Sequence, residues 1–218
     1  MRVAIITAIY DDYDTLKPFP GQEGVECAHI CVTDKMQAEA HGWQIVVEPR
    51  PFMHPNIAAK RPKTKPWNYT AAEVTIWLDA SFAITSPHFA RDMASLVRNS
   101  SPIAQFKHPW RDCVYDEAEA SKALAKYQGL PIDQQMDWYR NQGHVAHWGL
   151  WATGIIVRSR DSLVAQHGEQ WLLHCQEWGF QDQLSEAPLL NRFGLRAAEI
   201  PGTHLANEWL QYQGSGRH

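Results

Sequence analysis

The chain has no run of about 18 consecutive apolar residues, so no membrane span is expected. It opens Met1-Arg2-Val3-Ala4-Ile5-Ile6, without the long apolar core and small-residue cleavage site of a secretory leader. A soluble, cytoplasmic protein is the expectation. Cysteine is scarce: Cys27, Cys31, Cys113 and Cys175 lack the two closely spaced pairs of a structural zinc site, and reduced, mostly buried thiols follow. No excess of positive charge exists. The net charge of -4 argues against broad nucleic-acid binding.

Several catalytic signatures are also missing. Neither Gly-x-x-x-x-Gly-Lys-Ser/Thr nor Gly-x-Gly-x-x-Gly occurs, which removes the glycine cradles of P-loop ATPases and Rossmann dehydrogenases. The absence of Gly-x-Ser-x-Gly and His-Glu-x-x-His counts against serine hydrolases and zinc proteases.

What is present begins with Ile76-Trp77-Leu78-Asp79-Ala80-Ser81, an apolar run that ends in a carboxylate beside small residues. It reads as a buried strand that delivers Asp79 to a ligand beyond its carboxyl end, and equally as a strand-end Asp that caps a helix or turn. Other strands are predicted over 3–9, 28–32, 44–47, 102–106, 153–157 and 197–200, and helices from Ser86-Pro87 and over 116–128, 131–142 and 161–178. Alternation of this kind predicts an α/β fold with a mainly parallel central sheet flanked by helices. One domain over 1–212 is expected, followed by a flexible tail or expression remnant over 213–218.

A site for a nucleotide sugar needs a base pocket, a counter-charge for the diphosphate, usually a divalent metal, and groups around the reacting carbon. Thr7-Ala8-Ile9-Tyr10, ending the first strand, offers backbone contacts and a stacking ring, with Thr7, Ala8 and Tyr10 as candidates. Lys60-Arg61-Pro62-Lys63-Thr64-Lys65 is the only dense basic stretch; it suits a diphosphate and reads equally as a solvated loop, too proline-rich for a polyanion-binding helix. Asp79 suits Mn²⁺ or Mg²⁺, which prefer carboxylate oxygens. Asp182 reads equally as the cap of the next helix or as a catalytic group. His144 and His147 could share a metal but read better as surface histidines, and His204 as a turn residue.

The ordered blocks Thr7 to Asp14, Cys31-Val32-Thr33-Asp34 with Gly42-Trp43, Ala59-Lys60 with Pro62-Lys63, Ile76 to Ser81, His108-Pro109-Trp110-Arg111-Asp112-Cys113-Val114-Tyr115-Asp116-Glu117-Ala118, and Asp182-Gln183-Leu184-Ser185 carry a resemblance. From about residue 3 to 192, the chain resembles the glycosyltransferase-like domain of plant mucilage-synthesis proteins and of a turgor-regulation protein once described as a ceramidase. That resemblance implies a GT-A fold, with Asp79-Ala80-Ser81 in the place of the metal-binding Asp-x-Asp motif. Ser81 then stands where many such enzymes have a second Asp, and a hydroxyl is the poorer ligand. His204 would add a metal ligand from the C-terminal side.

The reading that follows is a metal-assisted glycosyltransferase using a nucleotide-diphosphate sugar as donor. Asp79, Lys60 and Lys63 would stabilise the departing diphosphate and Asp182 would sit near the sugar. His108, as a group exchanging protons at neutral pH, and Arg111, as a phosphate or carboxylate partner, would complete the site, the alternative for their block being a buried Arg-Asp-Glu network that only fixes a loop. The acceptor hydroxyl is left open among glycan, lipid, protein, small molecule and modified nucleobase. The alternatives are a nucleotide-sugar hydrolase or nucleotidyltransferase, and a non-catalytic carbohydrate- or nucleotide-binding module.

Overall fold

A computed structural model describes residues 1–37, 39–50, 53–97 and 101–214. Of the expected tail, 215–218 lie outside the described residues; the backbone N–H of Gln213 donates to Ser81 O at 2.7 Å.

The elements, in chain order, are β1 (Arg2–Ile9), β2 (Glu26–Thr33), β3 (Gln44–Val47), α1 (Pro55–Thr64), β4 (Val74–Leu78), β5 (Phe82–Ile84), α2 (Phe89–Leu96) and β6 (Ile103–Lys107). Then come α3 (Val114–Lys122), α4 (Ile132–Asn141), β7 (Trp151–Ser159), α5 (Ser162–Trp178), α6 (Gln183–Arg192), β8 (Ala198–Glu199) and β9 (Leu210–Tyr212). Seven strands form one sheet in the order β3-β2-β1-β4-β7-β6-β8, while β5 and β9 pair in a small second sheet. All large-sheet pairings are parallel except those of β7, which runs against β4 and β6. The α/β class and mainly parallel sheet are as expected and agree with a GT-A-like fold.

Period-two alternation sends each strand's side chains to two cores. On β4, Val74, Ile76 and Leu78 pack with Phe89 and Met93 of α2, whereas Trp77 packs on the opposite face with Ala58 of α1 and Trp171 of α5. Both sheet faces are therefore covered, which is why the strands read as near-continuous apolar runs.

Two local departures bear on the site. Residues 60–64, read as a diphosphate-binding or solvated loop, lie in helix α1: Pro55 occupies its first turn, His54 Nδ1 accepts from Asn56 N at 3.2 Å, and Pro62 is tolerated inside. The buried Arg158 of β7 donates to the carbonyls of Lys63 and Thr64, supplying partners that the helix end lacks. Residues 116–128 do not form one helix; α3 ends at Lys122 and Ala125–Tyr127 make a separate 3-10 turn. By contrast, α5 starts as its sequence predicts, with Asp161 Oδ1 accepting from Leu163 N and Val164 N.

Candidate active site

The chain passes from β1 to β2 and β3 on one side and to β4 on the other, so β1/β4 is the switch point where open α/β sheets bind ligands. A cleft of about 650 Å³ opens there. Its walls include Ala8 and Ile9 of β1, Lys60 and Lys63 of α1, Asp79 and Ser81 beyond β4, and Ala152, Thr153 and Gly154 of β7. His108, Trp110, Arg111, Glu117, Lys126, Tyr127, Asp182 and His204 complete much of the rest.

The floor is built around Asp182. Lys60 Nζ lies 2.9 Å and Lys63 Nζ 2.6 Å from its Oδ2, and Thr153 Oγ1 donates to its Oδ1 at 3.1 Å. Asp182 occupies the N-cap position of α6 but makes no side-chain capping bond. Its carboxylate lines the cleft instead. Burial alone would raise this carboxyl; the two ammonium groups overrule it and hold the group well below the usual carboxylate range. Burial likewise opposes the charge on Lys60, yet Asp182, with smaller help from Cys175 and Asp79, leaves its pKa raised.

Helical geometry sorts the basic stretch. Positions 60 and 63, three apart, share the cleft face. Arg61 instead pairs with Glu48, and Lys65 reaches Glu169 of α5 at 3.6 Å. The buried Lys63 ammonium also stands 5.7 Å from the Trp77 ring centroid and 6.0 Å from that of Trp171.

Asp79 lies just past β4, where its Oδ1 accepts from Trp77 Nε1 at 2.6 Å and sits 3.7 Å from Lys63 Nζ. Its Oδ2 faces Gly154, where an added Cβ would come within 3.3 Å of it. His204 faces the same cleft with a buried Nδ1 that has no hydrogen-bond partner. Burial, and then His108, lower the His204 pKa while Asp79 raises it, so its ring is an available neutral donor. Asp79, Ser81 and the orphaned His204 nitrogen all line this cleft, and a carboxylate, a hydroxyl and an imidazole are donors that a divalent cation accepts, with one carboxylate fewer than two Asp residues would supply.

His108, at the end of β6, departs from its expected role. Its Nδ1 accepts from the backbone N–H of Arg111 at 3.0 Å and of Trp110 at 3.4 Å, and Nε2 lies 3.5 Å from Glu117 Oε2. Burial, and then Arg111, push its pKa down to about 4. The imidazole is neutral at pH 7 with its lone pair engaged, so it organises the loop and does not exchange protons at neutral pH. Arg111 Nε donates to Glu117 Oε2 at 2.5 Å, a paired cation lining the cleft.

The remaining expectations are placed as follows. Ala8 lines the cleft, but Thr7 and Tyr10 are 2% and 3% exposed and do not; the Tyr10 ring is packed in the core, where it offers no face to a base. His144 bonds to Asn191 and His147 to Asp112, so the two imidazoles turn to different partners. Glu117, Lys126 and Trp110 were not singled out from the sequence as site residues. Glu117 lay inside the quoted block, whereas Lys126 depends on the 3-10 turn that interrupts an apparently continuous helix.

Comparison with known proteins agrees with the architecture. Over 159 residues the chain is 25% identical to the "Probable hexosyltransferase MUCI70" of Arabidopsis thaliana, an alignment covering 65% of this chain and 27% of that protein. The chain thus matches about a quarter of its curated relative's length. Residues 22–164 match the model of the TOD1/MUCI70 glycosyltransferase-like domain, a span that includes Lys60, Lys63, Asp79, His108 and Arg111 but neither Asp182 nor His204. The chain belongs to the TOD1/MUCI70 glycosyltransferase-like domain family.

Proposed function

We propose that this chain transfers a sugar, a hexose by analogy with its relative's name, from a nucleoside-diphosphate sugar to a hydroxyl acceptor with the help of Mn²⁺ or Mg²⁺. The observation that carries this reading is the charge balance of the cleft. Lys60, Lys63, Arg111 and Lys126 line the cleft with Asp79, Glu117 and Asp182, while the Asp14 carboxylate at its edge is already paired with Lys17. A diphosphate brings at least two negative charges, more than the one cation left over can meet, so a divalent ion is needed to keep the complex neutral.

Asp79, His204 and Ser81 would hold that ion, which when bound would supply Lewis-acid stabilisation of the leaving diphosphate. Lys60 and Lys63, already desolvated and preorganised, would turn from Asp182 toward the phosphate oxygens. Asp182, released by the two ammonium groups, would then face the positive charge that develops at the anomeric carbon, an electrostatic role. The unpaired thiols suit a reducing compartment such as the cytoplasm.

A thermal-shift screen of nucleoside diphosphates and their sugars, with and without Mn²⁺, on wild type and Asp79→Asn tests the reading. At a hundred times its dissociation constant, a ligand adds about 2.7 kcal/mol of stability. Stabilisation by one nucleotide family, dependent on Mn²⁺ and lost in Asp79→Asn, is expected. No shift with any donor contradicts it, and donor breakdown that no hydroxyl compound accelerates would favour the hydrolase instead.

A further inference from the structure

We propose that Cys113, Asp116 and His147 form a second cation site, distinct from the Asp79 region, that takes a borderline-soft divalent ion of the Zn²⁺ type. One potential ligand atom from each residue lies within 4.8 Å of the others. Among the described residues, this is the only group of three or more His, Cys, Asp or Glu side chains that meets so closely. The arrangement joins distant parts of the chain. Cys113 caps α3 and Asp116 follows three residues later on the same face, while His147 arrives from the loop that precedes β7.

The donor set selects the ion. One thiolate, one imidazole and one carboxylate match the three protein ligands of an open tetrahedral zinc site, whereas Mn²⁺ and Mg²⁺ prefer oxygen donors. Binding would displace the Cys113 thiol proton to solvent. Asp112 lies outside the trio, with its Oδ1 2.8 Å from His147 Nδ1, which is the carboxylate contact that orients metal-binding imidazoles and leaves Nε2 for the ion. The two segments are already held together on either side of the cluster: Gly149 N donates to Asp112 O at 3.1 Å, and the Tyr115 hydroxyl donates to His144 O at 2.6 Å. His147 itself adopts φ +57°, a left-handed conformation uncommon outside glycine.

The consequence is a staple across the cleft wall. On one side, α3 carries Glu117, which holds Arg111; on the other, the loop leads into Ala152, Thr153 and Gly154 of β7. An ion between them would fix the spacing of these two walls without touching the diphosphate region.

The test is a titration of the chelator-stripped full chain with Co²⁺, followed by Zn²⁺. A thiolate-to-cobalt charge-transfer band that saturates at one equivalent and is displaced by Zn²⁺ is expected. Cys27, Cys31 and Cys175 are no rivals for it, because among the described residues none of them meets two further His, Cys, Asp or Glu ligands. Cys113→Ser should abolish the band, and Asp112→Asn should weaken the affinity about 10–100-fold. The Cys113 side chain is buried and its replacement could unfold the chain, so His147→Asn provides the second arm. Its side chain is exposed, and Asn tolerates the left-handed backbone while removing the imidazole. Absence of the band in wild type, or a band of unchanged intensity and affinity in folded His147→Asn, overturns the proposal.

Discussion

Helix α1 separates two buried polar regions of opposite character. On its cleft side, Lys60 and Lys63 meet Asp182 within 3 Å, and this pairing holds the Asp182 carboxyl low and the Lys60 ammonium high against their burial. Behind its C-terminal end, Arg158 bonds to backbone carbonyls beside Glu186 and His167, both of which are neutral at pH 7. Burial pushes the Glu186 carboxyl up to about 8 and His167, helped by Arg158, down to about 3. Depth is similar in the two places, so burial alone does not mark a functional site. What differs is access to a ligand and pairing that preserves charge. The region behind α1 anchors the helix; the region before it presents the helix's ammonium groups.

The largest expected effect comes from breaking the ionised side. Asp182→Asn leaves two desolvated ammonium groups without their main counter-charge and should cost about 3–5 kcal/mol in urea unfolding. Replacing Lys60 and Lys63 by Met in that background should restore most of the stability while sugar transfer stays lost. A triple variant no more stable than Asp182→Asn would break the proposed division between charge balance and function.

Gly168→Ala attacks the anchor from α5. An added Cβ would stand 2.1 Å from Thr64 O, so α1 must move. A loss of about 1–3 kcal/mol is expected, together with weaker diphosphate binding, because Lys60 and Lys63 ride on the displaced helix. Unchanged stability and affinity would show that the interhelical contact does not position them.

A third test is a pH signature that distinguishes the neutral groups. Glu186 has a folded pKa of about 8 against an ordinary value of 4.5, so its contribution is fully present below 4.5 and is lost as pH rises through 8. Glu186→Gln should flatten that loss in melting temperatures recorded between pH 5 and 9. The opposite limb belongs to buried histidines: burial lowers His29, His144 and His174 to about 4, as it does His108, from an ordinary 6.5. They favour the fold above pH 6.5, and that advantage is lost as pH falls toward 4. A melting temperature flat from pH 6.5 to 4 would contradict their burial in neutral form.

Much of the sheet was legible because both its faces are covered: the apolar run that begins at Ile76 ends with β4 at Leu78, just before Asp79. Helix α1 was not, since Pro62 and four basic residues resemble a loop, and only helical geometry reveals that Lys60 and Lys63 share a face that Arg61 and Lys65 do not. The two short strands β5 and β9 carry three residues each, too few for a periodic signal. At the site, Asp79 was legible from the end of its strand, and Asp182 as a residue but not as a charge partner. The neutral state of His108 and the burial of Tyr10 arise from tertiary packing, to which local sequence gives no access.

The central claim is that the cleft holds too little spare positive charge for a diphosphate, so that a diphosphate binds only with an added divalent ion. Calorimetric titration of the preferred nucleoside diphosphate into wild type, once with Mn²⁺ and once with EDTA, tests it most directly. The account predicts affinity at least about tenfold weaker in EDTA, a coupling of roughly 1.4 kcal/mol or more. Equal affinity under the two conditions would contradict it.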